Sequence, residues 1–262
     1  MNAYKKLCTE YYDISKPHAP ENAVKFYAHH LEISNGPALE PMCGSGRFLI
    51  PLLRRGNDVD GVDASFTMLK ACRTRCQSIG LKPRLYRQFL HELNLPRQYG
   101  AAFIPDGSFC LIANRKKAID SLQNLYQCLL PGGKLILEVL TPRAQTKNPE
   151  NWIKSQITRP DSSTIILSCY STYNKTEKTE QVTNRYELLT DGHIIGIELE
   201  KHSIKYYEQE ELQRLLKSTG FVDIRVNGVY RDNEPDIKDR SIMIQGSKSP
   251  CSPSSHYINQ LF

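Results

Sequence analysis

Between residues 38 and 140 short apolar runs alternate with amphipathic stretches, and the intervals fit strands and helices in regular succession. That alternation is the signature of a parallel sheet with helices on both faces, because each return to a parallel strand needs a crossover. Strands are expected over 38–41, 59–63, 84–89, 101–104 and 134–139, with helices over 48–55, 65–79 and 115–130. Gly56 and Gly80 close the first two of these helices. An earlier helix follows Pro20, where Ala23, Tyr27, His30 and Leu31 recur at helical spacing, and Asn35-Gly36-Pro37 ends it.

After Pro142 the rhythm changes. The stretches 164–173, 181–189 and 193–207 are rich in β-branched and aromatic residues with no helix between them, and Asp191-Gly192 marks a hairpin. Residues 160–206 therefore read as antiparallel. A helix over 208–219 follows, with Leu212, Leu215 and Leu216 on one face, and 221–226 with 241–245 form a closing antiparallel pair. Residues 1–18 hold Tyr4, Tyr11 and Tyr12 without a clear period. The expected fold is α/β: a doubly wound, mostly parallel seven-stranded sheet with helices on both faces. An antiparallel β insertion lies between the fifth strand and the following helix. The expected divisions are an N-terminal segment and helix (1–36), a core (37–141 and 207–246), the insertion (142–206) and a disordered tail (247–262).

Composition narrows the function. A chain of 262 residues suits one large domain, and no stretch approaches the roughly 20 apolar residues of a membrane span. Met1-Asn2-Ala3-Tyr4-Lys5-Lys6 leads into no signal-peptide apolar run, so a cytoplasmic protein with no membrane partner is expected. The eight cysteines are scattered; only Cys72 and Cys76 lie close, and no second Cys or His pair completes a metal site. The net charge of +6 is dispersed and not interleaved with aromatics, which argues against a nucleic-acid partner.

The informative segment is Glu40-Pro41-Met42-Cys43-Gly44-Ser45-Gly46-Arg47. A glycine turn between the first strand and its helix lets the backbone approach a ligand, and the helix N-terminus points free N–H groups at it. Asp63 ends the second strand, where a carboxylate can accept hydrogen bonds from both hydroxyls of an adenosine ribose. Ligands of open parallel sheets lie across the carboxyl ends of the strands, so Glu40, Gly44 and Asp63 should share one crevice.

Glu40-x-x-Cys43-Gly44-Ser45-Gly46, then Gly61-Val62-Asp63-Ala64-Ser65-x-x-Met68-Leu69, then Leu130-Pro131-Gly132-Gly133-Lys134-Leu135, resemble the motifs of the Rossmann-like (class I) S-adenosylmethionine-dependent methyltransferases, small-molecule type. The resemblance spans roughly residues 20–245 and is strongest over 38–140. It implies S-adenosyl-L-methionine as cofactor. Glu40 would lie near the cofactor's amino group, Gly44 and Gly46 along its methionine moiety, and Asp63 at the ribose, with Met42 also among the cofactor-binding residues. Ala64 and Met68 would flank the adenine, Gln88 and Phe89 would meet it after the third strand, and Ile104 would face the sulfonium. Tyr12 resembles a lid tyrosine closing over the cofactor. The insertion would roof a small-molecule substrate or form a subunit contact, which leaves room for a homodimer.

Three departures from the family pattern stand out: Met42 replaces a frequent glycine, Phe89 stands where many members have aspartate, and Ile104-Pro105-Asp106-Gly107-Ser108 is not the Asn/Asp-Pro-Pro-Tyr/Phe motif of base methylases. His18, His91, Asp106 and His202 are the candidate general bases, and spacing singles out none. A nicotinamide-dependent oxidoreductase would need a third glycine at position 49, which is Leu. A non-catalytic S-adenosylmethionine-binding module is the other alternative, and the intact glycine turn gives it no particular support.

Overall fold

The structure is a computed structural model and describes residues 4–147, 150–231 and 233–250. The core runs β1 (Ala38–Pro41), α3 (Leu49–Arg54), β2 (Val59–Asp63), α4 (Phe66–Gln77), β3 (Arg84–Arg87), β4 (Tyr99–Ile104), α5 (Arg115–Cys128) and β5 (Leu129–Leu140), preceded by α1 (Lys6–Ser15) and α2 (Glu21–Glu32). The insertion holds β6 (Ile153–Thr158), β7 (Thr164–Asn174), β8 (Thr179–Thr190) and β9 (His193–Lys205). The chain then returns through α6 (Gln209–Ser218), β10 (Val222–Gly228) and β11 (Ser241–Ser247).

Seven strands form one sheet in the order β10-β11-β5-β4-β1-β2-β3, and β6-β7-β8-β9 form a second, antiparallel one. β1 pairs in parallel with both β2 and β4, so the strand order reverses at β1. This reversal opens a crevice at the strands' carboxyl ends. Within the seven-stranded sheet, among the described residues, only β11, against β5, and β10, against β11, run antiparallel.

Both faces of the parallel strands are covered. On one face Leu39, Val62, Ala102, Ile104 and Leu137 pack against Leu122 and Leu125 of α5 and Leu212 and Leu216 of α6. On the other, Ala38, Val59, Ala101, Phe103 and Ile136 meet Tyr27 of α2, Leu49 and Leu52 of α3, and Cys72 and Cys76 of α4. Burial on both sides explains why these strands read as continuous apolar runs. The described cysteines are all free thiols, and no cluster of metal-ligating side chains occurs among the described residues. Among these residues no helix is long and apolar enough to cross a membrane.

Three elements depart from the sequence reading. The aperiodic N-terminal stretch forms α1, and β6 adds a fourth strand to the insertion. The start of the expected disordered tail is ordered: Ser247 still pairs with Lys134, and Lys248 exchanges backbone hydrogen bonds with Gly132 and Gly133. Gly132 and Gly133, near the start of β5, offer the backbone groups that hold the chain to residue 248. The rest of the expected tail, 251–262, lies outside the described residues.

Candidate active site

The crevice at the strand reversal is a cavity of about 700 Å³, within the roughly 300–1,000 Å³ typical of small-molecule sites. Asp63 and Gly44 line it side by side. The Asp63 carboxylate accepts the Gly44 N–H at 2.9 Å and the Ser65 N–H at 2.8 Å, tying the glycine turn to the end of β2. Burial raises the Asp63 carboxyl above the ordinary carboxylate range, opposed by these backbone N–H donors. A carboxylate offers about four lone-pair directions, so acceptors remain for a vicinal diol.

The two glycines of the turn serve different ends. Gly44 has φ +55°, and a Cβ there would meet only Met68 Sδ at 3.8 Å, leaving open space toward the cavity. Gly46 has φ +84°, and its Cβ would lie 2.6 Å from Cys72 Sγ and 3.0 Å from Ile50. Gly46 therefore lets α3 and α4 approach each other and does not line the cavity. Met42 holds φ +59°, the left-handed conformation glycine adopts without strain, and lines the cavity with its side chain.

Glu40 sits beneath this turn, 1 % exposed, and its Oε2 has no hydrogen-bond partner. Burial first, and then the charge of Asp63, hold its carboxyl well above the ordinary range. A raised carboxyl favours the folded state below the unfolded-state value and loses that advantage as pH rises toward the folded one. The ligand-free protein is therefore expected to become less stable from about pH 4.5 toward neutrality, through Glu40 and Asp63. Glu40→Gln should flatten that decline in thermal melts across this range; an unchanged slope would show that Glu40 does not contribute.

α1 closes one side of the cavity. Its free N-terminal N–H groups are taken by the roof: Lys5 N donates to Glu200 Oε1 at 2.6 Å, and Leu7 N to Glu198 Oε2 at 2.7 Å. Carboxylates at that end also complement the helix dipole. Leu7 and Cys8 pack on Ile165 and Tyr186 of the antiparallel sheet, and the Tyr11 hydroxyl donates to Ser155 Oγ at 2.7 Å. At the other end Ser45 of the glycine turn donates to Asp13, which Arg75 also approaches at 3.4 Å. Replacing both Glu198 and Glu200 by Gln should speed amide exchange across α1 by roughly fivefold, the loss of about 1 kcal/mol of capping and dipole energy. Unaltered exchange would show that the carboxylates do not anchor the helix.

Tyr12 faces the cavity from α1 beside an ionic cluster on the loop after β4. Asp106, at φ +55°, accepts from Arg47 at 2.7 Å and Lys16 at 3.3 Å. Its own N–H donates to Glu138 Oε2 at 2.9 Å, which fixes the loop to β5.

Of the sequence-derived candidates, Tyr12, Met42, Gly44, Asp63, Ala64, Met68, Gln88 and Phe89 line this one cavity. Glu40, Gly46 and Ile104 do not: Glu40 lies below the turn, Gly46 packs against α4, and Ile104 is buried in the core against α5. Gln88 lines the wall, but its amide is engaged with the Asn94 backbone in two 2.8 Å bonds, so it shapes the 88–94 loop. Sequence reasoning passed over Ser65, which caps α4 through Met68 N and donates to the Tyr4 carbonyl. The cap position ahead of an apolar run was its available signal.

A glycine turn, a β2 carboxylate and a cavity at the sheet reversal define a Rossmann-like α/β fold with a candidate ligand crevice. The family model of the methyltransferase domain matches residues 38–133. YqeM, a putative methyltransferase of Bacillus subtilis (strain 168), is 23% identical over 240 residues, covering 91% of this chain and 94% of that protein. An S-adenosylmethionine-dependent methyltransferase from Clostridium acetobutylicum ATCC 824 superposes with a TM-score of 0.77 at 16% identity, covering 92% and 96% of the two chains. The sugar N-methyltransferase KedS8 from Streptoalloteichus sp ATCC 53650 gives 0.74 at 15% identity, covering 95% of each. Residues 38–133 thus match a methyltransferase domain, on a fold shared with S-adenosylmethionine-dependent methyltransferases of known structure.

Proposed function

We propose that this chain transfers the methyl group of S-adenosylmethionine to a small molecule bound between the glycine turn and β9. The observation that carries this is the placement of Asp63 and the open Gly44 at one end of a cavity that continues past Asp106 to the β9 roof. Asp63 would take the ribose hydroxyls, Met68 and Phe89 the adenine faces, and the buried, unpartnered Glu40 the charge of the amino-acid ammonium. When bound, the sulfonium supplies an electrophilic methyl group.

The protein's part is then alignment and exclusion of water. Gly44 keeps the backbone close to the ligand, and α1 with Tyr12 covers one flank. Asp106 holds Arg47 and Lys16 at the cavity rim. The cover of β9 and α1 over one side of the cavity supports a small acceptor over a duplex or a folded protein, and KedS8, which shares this fold, is a sugar N-methyltransferase. The test is tritium transfer from methyl-labelled S-adenosylmethionine into fractionated cell extract. Label is expected in the small-molecule filtrate, and label confined to protein or nucleic acid would overturn the assignment.

A further inference from the structure

We propose that His202 of β9 is the group that receives the acceptor's proton during methyl transfer. This rests on the function proposed above and assigns to it an acceptor whose nucleophilic atom carries a proton, an N–H or O–H group. The acceptor's lone pair forms the bond to the methyl carbon while the C–S bond breaks with its electron pair going to sulfur. The proton released from the acceptor passes to an imidazole nitrogen.

The placement is geometric. Side chains alternate along β9, so His202 shares a face with Glu198 and Glu200, the two carboxylates that hold α1. It lines the same cavity as Asp63, from the roof that packs over the turn at Ser108–Leu111, following β4. Neither ring nitrogen has a hydrogen-bond partner among the described residues, although the ring is half-buried.

The alternatives at this cavity are already engaged or unsuited. Asp106 is paired with Arg47 and Lys16. His91 stacks near Phe89 and approaches Glu92 at 3.5 Å, on the wall that also carries Gln88. Lys117, from α5 at the rim, offers only donors. The charged groups acting on His202 are Glu200 on its own strand and Glu180 on β8; Asp63, His91, Glu92, Asp106, Lys16 and Lys117 line the same cavity, with Arg47 paired to Asp106. Burial outweighs the two glutamates and lowers the imidazole below its usual value, which keeps the ring neutral and able to take a proton near neutral pH.

The test uses the full chain with ¹³C-labelled histidine, followed by NMR from pH 5 to 9, with His202→Gln assigning the resonance. The product nucleoside, S-adenosylhomocysteine, is neutral at sulfur, whereas S-adenosylmethionine carries a cation there. If His202 faces the transferring methyl, its titration midpoint should fall by about one pH unit between the two complexes, and that of His91 should fall less. An identical His202 midpoint in both complexes overturns the proposal. Failure of either compound to perturb any resonance would instead strike at the cofactor assignment itself. In the labelled-transfer assay, His202→Gln should slow transfer by about 10²-fold or more and remove the acid limb of the rate profile. A variant that keeps both rate and limb also overturns it.

Discussion

Gly46→Ala is expected to lose about 3 kcal/mol of folding stability, whereas Gly44→Ala should fold and fail to bind the cofactor. The two glycines are two residues apart and both have positive φ, so a motif-level view treats them alike. Their surroundings do not. A Cβ at Gly46 meets Cys72 Sγ at 2.6 Å, and that sulfur is itself fully buried in the core between α4 and the sheet. About 1–2 kcal/mol of left-handed strain then adds to about 1–3 kcal/mol of overpacking. At Gly44 the nearest atom is 3.8 Å away, so the added methyl occupies ligand space and costs only the backbone strain. Urea unfolding and calorimetry with S-adenosylhomocysteine separate the two. A stable Gly46→Ala protein with weakened binding would reverse the assignment.

Asp63→Ala should weaken cofactor binding by about 1–3 kcal/mol, or roughly 5- to 150-fold, because the ribose hydroxyls lose a charged acceptor. The same substitution removes the acceptor for the Gly44 and Ser65 N–H groups, so part of the loss will come from a loosened turn. Asp63→Asn separates these contributions, since its amide oxygen can still accept from one backbone N–H. An affinity for S-adenosylhomocysteine that is unchanged in both variants would remove Asp63 from the site.

The sheet and its crevice were legible because their signals are local. Glycines that close helices, apolar runs buried on two faces and a carboxylate at a strand end each announce themselves within a few residues. The closing pair of strands and the hairpin at Asp191-Gly192 were legible for the same reason. What the sequence did not reveal is held by distant partners. α1 buries only Leu7, Cys8 and Thr9, and its capping carboxylates lie more than 190 positions away on β9. β6 is a mostly exposed strand with no apolar alternation, held by pairing to β7. Within the site, the side chains facing the cavity were readable from the motif, but the division of labour was not. Gly46 and Ile104 share the motif's neighbourhood, yet packing against Cys72 and against α5 decides their role. Gln88 lines the cavity, and its engagement with the Asn94 backbone was not readable from the motif.

The lone acid beneath the glycine turn has a consequence for the protein's life in a cell. A carboxyl 1 % exposed, with one oxygen unsatisfied, weakens the empty fold, and any ligand bringing an ammonium to it repairs that defect. Ligand at about 100 times its dissociation constant adds about 2.7 kcal/mol to the folded state. Where the ligand falls well below its dissociation constant that contribution is lost, and more chains are open to proteolysis.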